Sequence, residues 1–111
     1  MSAELILRIG LGIMPLAFGI DQLRDFRPWQ AFVPSSLTWI QWPSKKAFWT
    51  SHALINIALG LVLLSGFQTR IAALVTAAWL GIIALVTVST DWRVAVRDAA
   101  LCLAAIALGL L

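Results

Sequence analysis

The polar residues that could do chemistry in this 111-residue chain lie within or at the ends of long apolar stretches. They are Asp21, His52, Asn56, Arg97 and Asp98. A charged residue at the centre of a membrane helix costs about 2.5–3.5 kcal/mol on insertion scales, so such residues are functional candidates. His52, Asn56 and Gly60 are spaced by four and share one helical face. This face presents an imidazole, an amide and a gap, which predicts a polar ligand-binding cavity.

The charged candidates suggest ion pairs inside the membrane. We expect Asp21 to pair with Arg97, because each would otherwise be an uncompensated charge. Asp98 points about 100° away from Arg97 on a helix, which favours pairing with Arg24 or Arg93. The alternative is that these groups are structural ion pairs near the membrane surface, without a ligand.

The single histidine and the single cysteine limit redox and metal chemistry. His52 has no second histidine, cysteine cluster or carboxylate pair at ligand spacing, so we expect neither a metal nor a haem within one chain. Cys102 alone can form neither an internal disulfide nor a CxxC pair, and we interpret it as a packing residue.

The composition indicates which elements hold these residues. The chain is 61% hydrophobic and 12% charged, which is typical of a membrane protein. A spanning helix needs about 20 residues, and the apolar stretches predict helices at residues 3–23, 47–67, 71–90 and 91–111. We therefore expect an all-α, integral membrane four-helix bundle, a single transmembrane domain over residues 1–111. Tight turns at 66–70 and 89–91 predict that the second, third and fourth helices are antiparallel neighbours.

Residues 24–46 form the one long predicted connection, and they combine tryptophans, prolines and cations. Tryptophan favours the headgroup region, so we expect this connection to lie on the bilayer and cover the cavity. The predicted lid and interface residues are Trp29, Trp39, Trp42 and Trp49. Six of the eight Lys and Arg residues fall at this end, which favours its placement on the cytoplasmic side. We expect the membrane to be the bacterial inner membrane.

The net charge of +3 faces lipid headgroups in this interpretation. No basic stripe with interleaved aromatic residues exists outside the short loops, so we expect membrane lipids and no nucleic acid as partners.

Several stretches resemble the DoxX family of small membrane proteins. They are LRIGLGIMPLAFGIDQL (7–23), WQAFVP (29–34), NIALGLVLLSGFQTRIAAL (56–74) and VRDAALCLAAIAL (96–108). The resemblance implies a four-helix bundle similar to that of vitamin K epoxide reductase, and association with quinone-linked sulfur oxidation or redox-stress partners. DoxX-like proteins commonly place a glutamate where this chain has Asn56, so an acid–base role would fall to His52 instead.

Three functions follow as hypotheses. The first is an accessory or partner-binding subunit, part of a homo-oligomer or a larger membrane complex, whose cavity holds a lipid or a quinone. The second is a quinone-linked oxidoreductase subunit in which His52 exchanges the proton and Arg97 or Asn56 binds a quinone carbonyl. The third is a small multidrug transporter, disfavoured because the middle of the first helix has no acidic residue.

Overall fold

The computed structural model describes residues 2–111, and every regular element in that range is helical. The elements are α1 (Ala3–Arg24), α2 (Arg27–Gln30), a 3-10 helix (Ser35–Ile40), α3 (Lys45–Ser65), α4 (Thr69–Thr87) and α5 (Trp92–Leu110). The two short helices both lie in the predicted connection.

Local capping sets the helix ends. The Ser44 hydroxyl accepts a hydrogen bond from the backbone N–H of Ala47, and this cap starts α3 two residues earlier than predicted. Gly66 ends the same helix in the left-handed region, with φ of 78°. Asp91 caps α5 by accepting from the N–H groups of Arg93 and Val94, so α5 begins after it.

Three of the four long helices, α1, α3 and α4, are long and apolar enough to cross a membrane. The fourth, α5, is of similar length but carries Arg93, Arg97 and Asp98 near its start. The prediction of a helical membrane protein is therefore supported by three helices directly.

The long helices pack most extensively as two pairs, α1 with α3 and α4 with α5. A methyl group on Gly60 would lie 2.6 Å from the backbone oxygen of Gly12, and one on Gly19 would lie 2.6 Å from that of Ala53. The backbones of α1 and α3 therefore approach too closely for side chains at these glycines. The prediction that α4 and α5 are neighbours is confirmed. The two helices α3 and α4 also contact one another, but α3 packs mainly on α1.

The tightest apolar packing lies at the end of the molecule opposite the connection. Leu11 and Leu63 are buried there against small residues of α4 and against the last turns of α5. Arg8 lies at the same end, where it donates to the backbone oxygens of Leu63 (3.1 Å) and Leu64 (3.2 Å). This side chain therefore supplies hydrogen-bond donors to carbonyl groups in the last turn of α3.

Candidate ligand-binding site

A cavity of about 210 Å³ lies between the two helix pairs, at the end covered by the connection. Most of its wall is aliphatic or aromatic. The polar side chains that line it are Gln22, His52, Asn56, Thr87, Arg97 and Asp98. Four of the five sequence candidates therefore line one space, and Asp21 does not.

A cluster of uncharged polar groups forms the wall made by α1, α3 and α4. The indole N–H of Trp79 donates to Asn56 Oδ1 over 2.8 Å. Indole is only a donor, so this bond places the oxygen of the Asn56 amide toward Trp79 and the nitrogen toward the other members. Asn56 Nδ2 then lies 3.1 Å from Gln22 Oε1 and 3.2 Å from His52 Nδ1.

One ring nitrogen of His52 belongs to this cluster. His52 Nδ1 lies 3.1 Å from Gln22 Oε1 and 3.2 Å from Asn56 Nδ2, so Nδ1 donates to the first or accepts from the second, according to the tautomer. Nε2, the other ring nitrogen, has no hydrogen-bond partner within residues 2–111. The ring lies against Trp79 and Trp49, with centroid separations of 4.7 and 5.1 Å.

The α5 wall carries the charged side chains that line the cavity, Arg97 and Asp98. Arg97 Nε and Nη2 both donate to Asp98 Oδ1, each over 3.1 Å. The predicted pairing of Asp98 with Arg24 or Arg93 is wrong, because the flexible arginine side chain turns back to its neighbour in sequence. The Arg97 guanidinium also lies over the Phe18 ring at 5.2 Å, which links α5 to α1.

The predicted pairing of Asp21 with Arg97 is also wrong. Asp21 accepts a hydrogen bond of 2.8 Å from the indole N–H of Trp29 and lies exposed at the end of α1. The α1–α3 packing turns the next residue, Gln22, inward instead, so that Gln22 is only 3% exposed.

The connection closes the cavity with the apolar side chains of Trp29, Phe32, Val33 and Ile40. Gln30 and Gln41 hold it in place by a reciprocal amide pair, with bonds of 3.0 and 2.6 Å. Trp49, buried on α3, donates to Gln30 Oε1 over 2.9 Å.

The four tryptophans grouped as lid and interface residues occupy different positions. Trp29 and Trp49 line the cavity. Trp39 and Trp42 are 74% and 81% exposed and lie on the outer surface of the connection.

Sequence reasoning missed Gln22, Gln30, Gln41 and Trp79. Trp79 carried a usable signal, because tryptophan prefers the membrane interface and one in the middle of an apolar helix needs a partner for its N–H. The spacing of Pro15, Gly19 and Gln22 places all three on the same side of α1, which is buried. This spacing could have predicted that Gln22 points inward. The glutamine pair had no such signal, since it joins the end of the short helix α2 to the residue that follows the 3-10 helix.

The geometry suits hydrogen bonding of a small molecule. Within residues 2–111, no three His, Cys, Asp or Glu side chains come together as metal ligands would. The cavity instead offers an uncharged polar wall, an ion pair opposite it and an apolar lining between them.

Comparison with protein families identifies the chain, because the DoxX model matches residues 3–90. The chain belongs to the DoxX family. In this DoxX protein the match includes α1, α3 and α4, and with them the Gln22, His52, Asn56 and Trp79 cluster. The stretch 96–108, which we also interpreted as DoxX-like, lies beyond the match and contains Arg97 and Asp98. Neither the curated proteins nor the solved structures gave a match to the chain.

Proposed function

We propose that this DoxX-family protein is a membrane-embedded accessory subunit that binds the head group of a quinone-type molecule in its cavity. The observation that carries the proposal is the uncharged polar cluster of Gln22, His52 and Asn56 at one side of an otherwise apolar space. Ligand sites combine this kind of apolar lining with a few placed polar groups. Partners would be membrane lipids and the other subunits of a homo-oligomer or larger complex.

The cavity size supports a head group rather than a whole lipid. Its volume of about 210 Å³ is below the range of about 300–1,000 Å³ that is usual for drug-sized ligands. A single substituted ring would fill it, and an attached apolar tail would remain among the helices or in the bilayer.

The charges of the lining support an uncharged ligand. Arg97 and Asp98 pair with one another, so the charged lining residues sum to zero. A phosphate or carboxylate head group would have to compete for Arg97, and Asp98 would then lose its counter-ion. This argument favours a quinone-type ring over a phospholipid or fatty acid.

A bundle of four spanning helices is the membrane arrangement that this function requires. The middle of α5 faces α4, since a methyl group on Gly81 would lie 3.5 Å from the Cys102 sulfur. Near the end of α5, a methyl group on Gly109 would lie 2.7 Å from Leu74 Cδ2. Because α5 runs beside α4 over this length, we infer that it crosses wherever α4 does. The charges near its start would then lie at the membrane surface or face the cavity, in a bacterial inner membrane.

A quinone-linked oxidoreductase subunit is the alternative function. It is favoured by the imidazole of His52, whose Nε2 is left for a ligand and could exchange a proton with a quinone oxygen. Turnover of a quinone by the purified protein with an electron donor would separate this function from binding alone.

Binding of decylubiquinone to the purified protein in nanodiscs tests the proposal. Isothermal titration calorimetry should detect saturable binding to the unmodified protein, and His52→Leu should weaken it about tenfold by removing a hydrogen bond to a carbonyl oxygen. Ser51→Leu is the matched control, because Ser51 is the exposed neighbour of His52 on α3. Equal affinities for the His52→Leu and unmodified proteins would contradict a head-group site at His52.

A further inference from the structure

The two polar walls of the cavity differ in which hydrogen-bonding groups remain without a partner. On the wall of α1 and α3, Gln22 Oε1 accepts from Asn56 Nδ2 and also lies 3.1 Å from His52 Nδ1. The groups left without a partner within residues 2–111 are His52 Nε2 and the Gln22 amide nitrogen, and the amide nitrogen is a donor. The Gln22 amide therefore makes this wall suited to a ligand oxygen that accepts hydrogen bonds.

The α5 wall presents an acceptor. Both hydrogen bonds from Arg97 go to Oδ1 of Asp98, and Oδ2 accepts none from residues 2–111. Every fully buried side-chain N or O atom in this range has a hydrogen-bond partner, so Oδ2 must retain some contact with open space. Asp98 is only 3% exposed and lines the cavity, which makes the cavity the space that Oδ2 meets.

We propose that the cavity binds the reduced, dihydroxy form of a quinone-type ring in preference to the oxidised form, with Asp98 Oδ2 accepting from one hydroxyl. This inference rests on the proposed function. A quinone has carbonyl oxygens only, and one of them beside Oδ2 would place two acceptors together without a hydrogen. A hydroquinone offers a hydroxyl hydrogen to Asp98, and the oxygen of its second hydroxyl accepts from the Gln22 amide on the opposite wall.

A hydrogen bond from the hydroxyl to the carboxylate is charge-assisted, and bonds of this kind are the stronger ones. We expect the reduced form to bind at least about tenfold more tightly than the oxidised form. The reason is that the oxidised form lacks this hydrogen bond and places a carbonyl oxygen against the carboxylate. The preference should depend on the carboxylate of Asp98 and not on the rest of the ring site.

Anaerobic calorimetry of decylubiquinol and decylubiquinone on the unmodified protein in nanodiscs tests this directly. The expected result is a ratio of dissociation constants of about ten in favour of the quinol. Asp98→Asn, which presents an amide to the cavity, should lower the ratio to about one. Glu4→Gln is the matched control, since it makes the same acid-to-amide change on an exposed residue at the other end of the molecule.

The outcomes distinguish this inference from the proposed function. Equal binding of both forms to the unmodified protein would overturn the preference and leave the quinone site standing. Binding of neither form would overturn both. The ratio on the unmodified protein needs no variant, so a failure of Asp98→Asn to fold leaves the test intact.

Discussion

Asn56 is the centre of the polar cluster because an amide can accept and donate at the same time. Its oxygen accepts from Trp79, and its nitrogen donates toward Gln22 and His52. A carboxylate at this position could accept from Trp79 but could not donate to the Gln22 oxygen. The amide therefore keeps this wall of the cavity uncharged while joining three helices.

Replacing Asn56 with leucine, which is similar in size and apolar, should strongly destabilise the protein. The change leaves the Trp79 N–H without its acceptor, and a buried unsatisfied group costs about 1–3 kcal/mol. It also removes the hydrogen bond from Asn56 to Gln22 Oε1, which contributes about 0.5–1.5 kcal/mol. Reversible unfolding in mixed micelles should show a loss of about 2–4 kcal/mol in the free energy of unfolding.

Trp79→Phe provides the control for this variant, because it removes the donor that Asn56 satisfies. The loss for Asn56→Leu should be smaller by at least about 0.5 kcal/mol in the Trp79→Phe background than in the unmodified protein. Strictly additive losses would show that the two side chains do not interact.

At the scale of the elements, the α1–α3 contact determines how the cavity wall is presented. Gly12, Gly19 and Gly60 let the two backbones meet, and this approach sets the rotation of each helix about its axis. With that rotation Gln22 and Asn56 point inward and meet, while Asp21 lies outside. The position of the site therefore depends on residues that carry no chemistry.

Gly60→Ala should separate α1 from α3. The new methyl group would lie 2.6 Å from the Gly12 backbone oxygen, and a backbone atom cannot move aside as a flexible side chain can. Overpacking costs about 1–3 kcal/mol, which exceeds the gain of about 0.8–1 kcal/mol from replacing glycine by alanine in a helix. The free energy of unfolding should therefore fall, and decylubiquinone binding should weaken with it.

Gly10→Ala is the matched control on α1, because nothing lies within 4 Å of the added methyl group. Only the gain in helix propensity applies there, so the variant should be as stable as the unmodified protein or slightly more so. Equal effects of the two substitutions would argue against the close helix crossing.

At the scale of the whole molecule, the two ends have different roles. The end that holds the termini and the α3–α4 turn is packed with small and apolar residues, and the other end contains the cavity beneath the connection. Most of the cations lie at the cavity end: Arg24, Arg27, Lys45, Lys46, Arg93 and Arg97. Arg27 forms an exposed ion pair with Asp25, which lowers the pKa of that carboxyl group below its usual value.

The excess of cations predicts that the cavity end faces the cytoplasm. Ser36→Cys lies in the connection and Gln68→Cys in the α3–α4 turn, and each would be made in a Cys102→Ser background. A membrane-impermeant maleimide applied to intact bacterial spheroplasts should label the Gln68→Cys protein only. The Ser36→Cys protein should react after lysis, and its labelling in intact cells would reverse the orientation.

Sequence alone determined the properties that depend on composition and on neighbouring residues. Long apolar stretches can bury their backbone polar groups in lipid only as helices, so the membrane class follows from them. Gly66 closes α3 because glycine adopts the left-handed conformation readily, within the tight turn predicted at 66–70. The four-residue spacing of His52 and Asn56 placed them on one face, and the structure shows them lining one cavity.

Only the tertiary structure decided which groups meet. The pairings of Asp21 with Trp29 and of Arg97 with Asp98 depend on how each helix is rotated and on where a long side chain turns. The spacing of residues along the chain predicts neither the rotation of a helix nor the direction of a long side chain. Both depend on contacts between helices that are far apart in sequence. For the same reason, only the packing of α1 on α3 shows that Gln22 is part of the site.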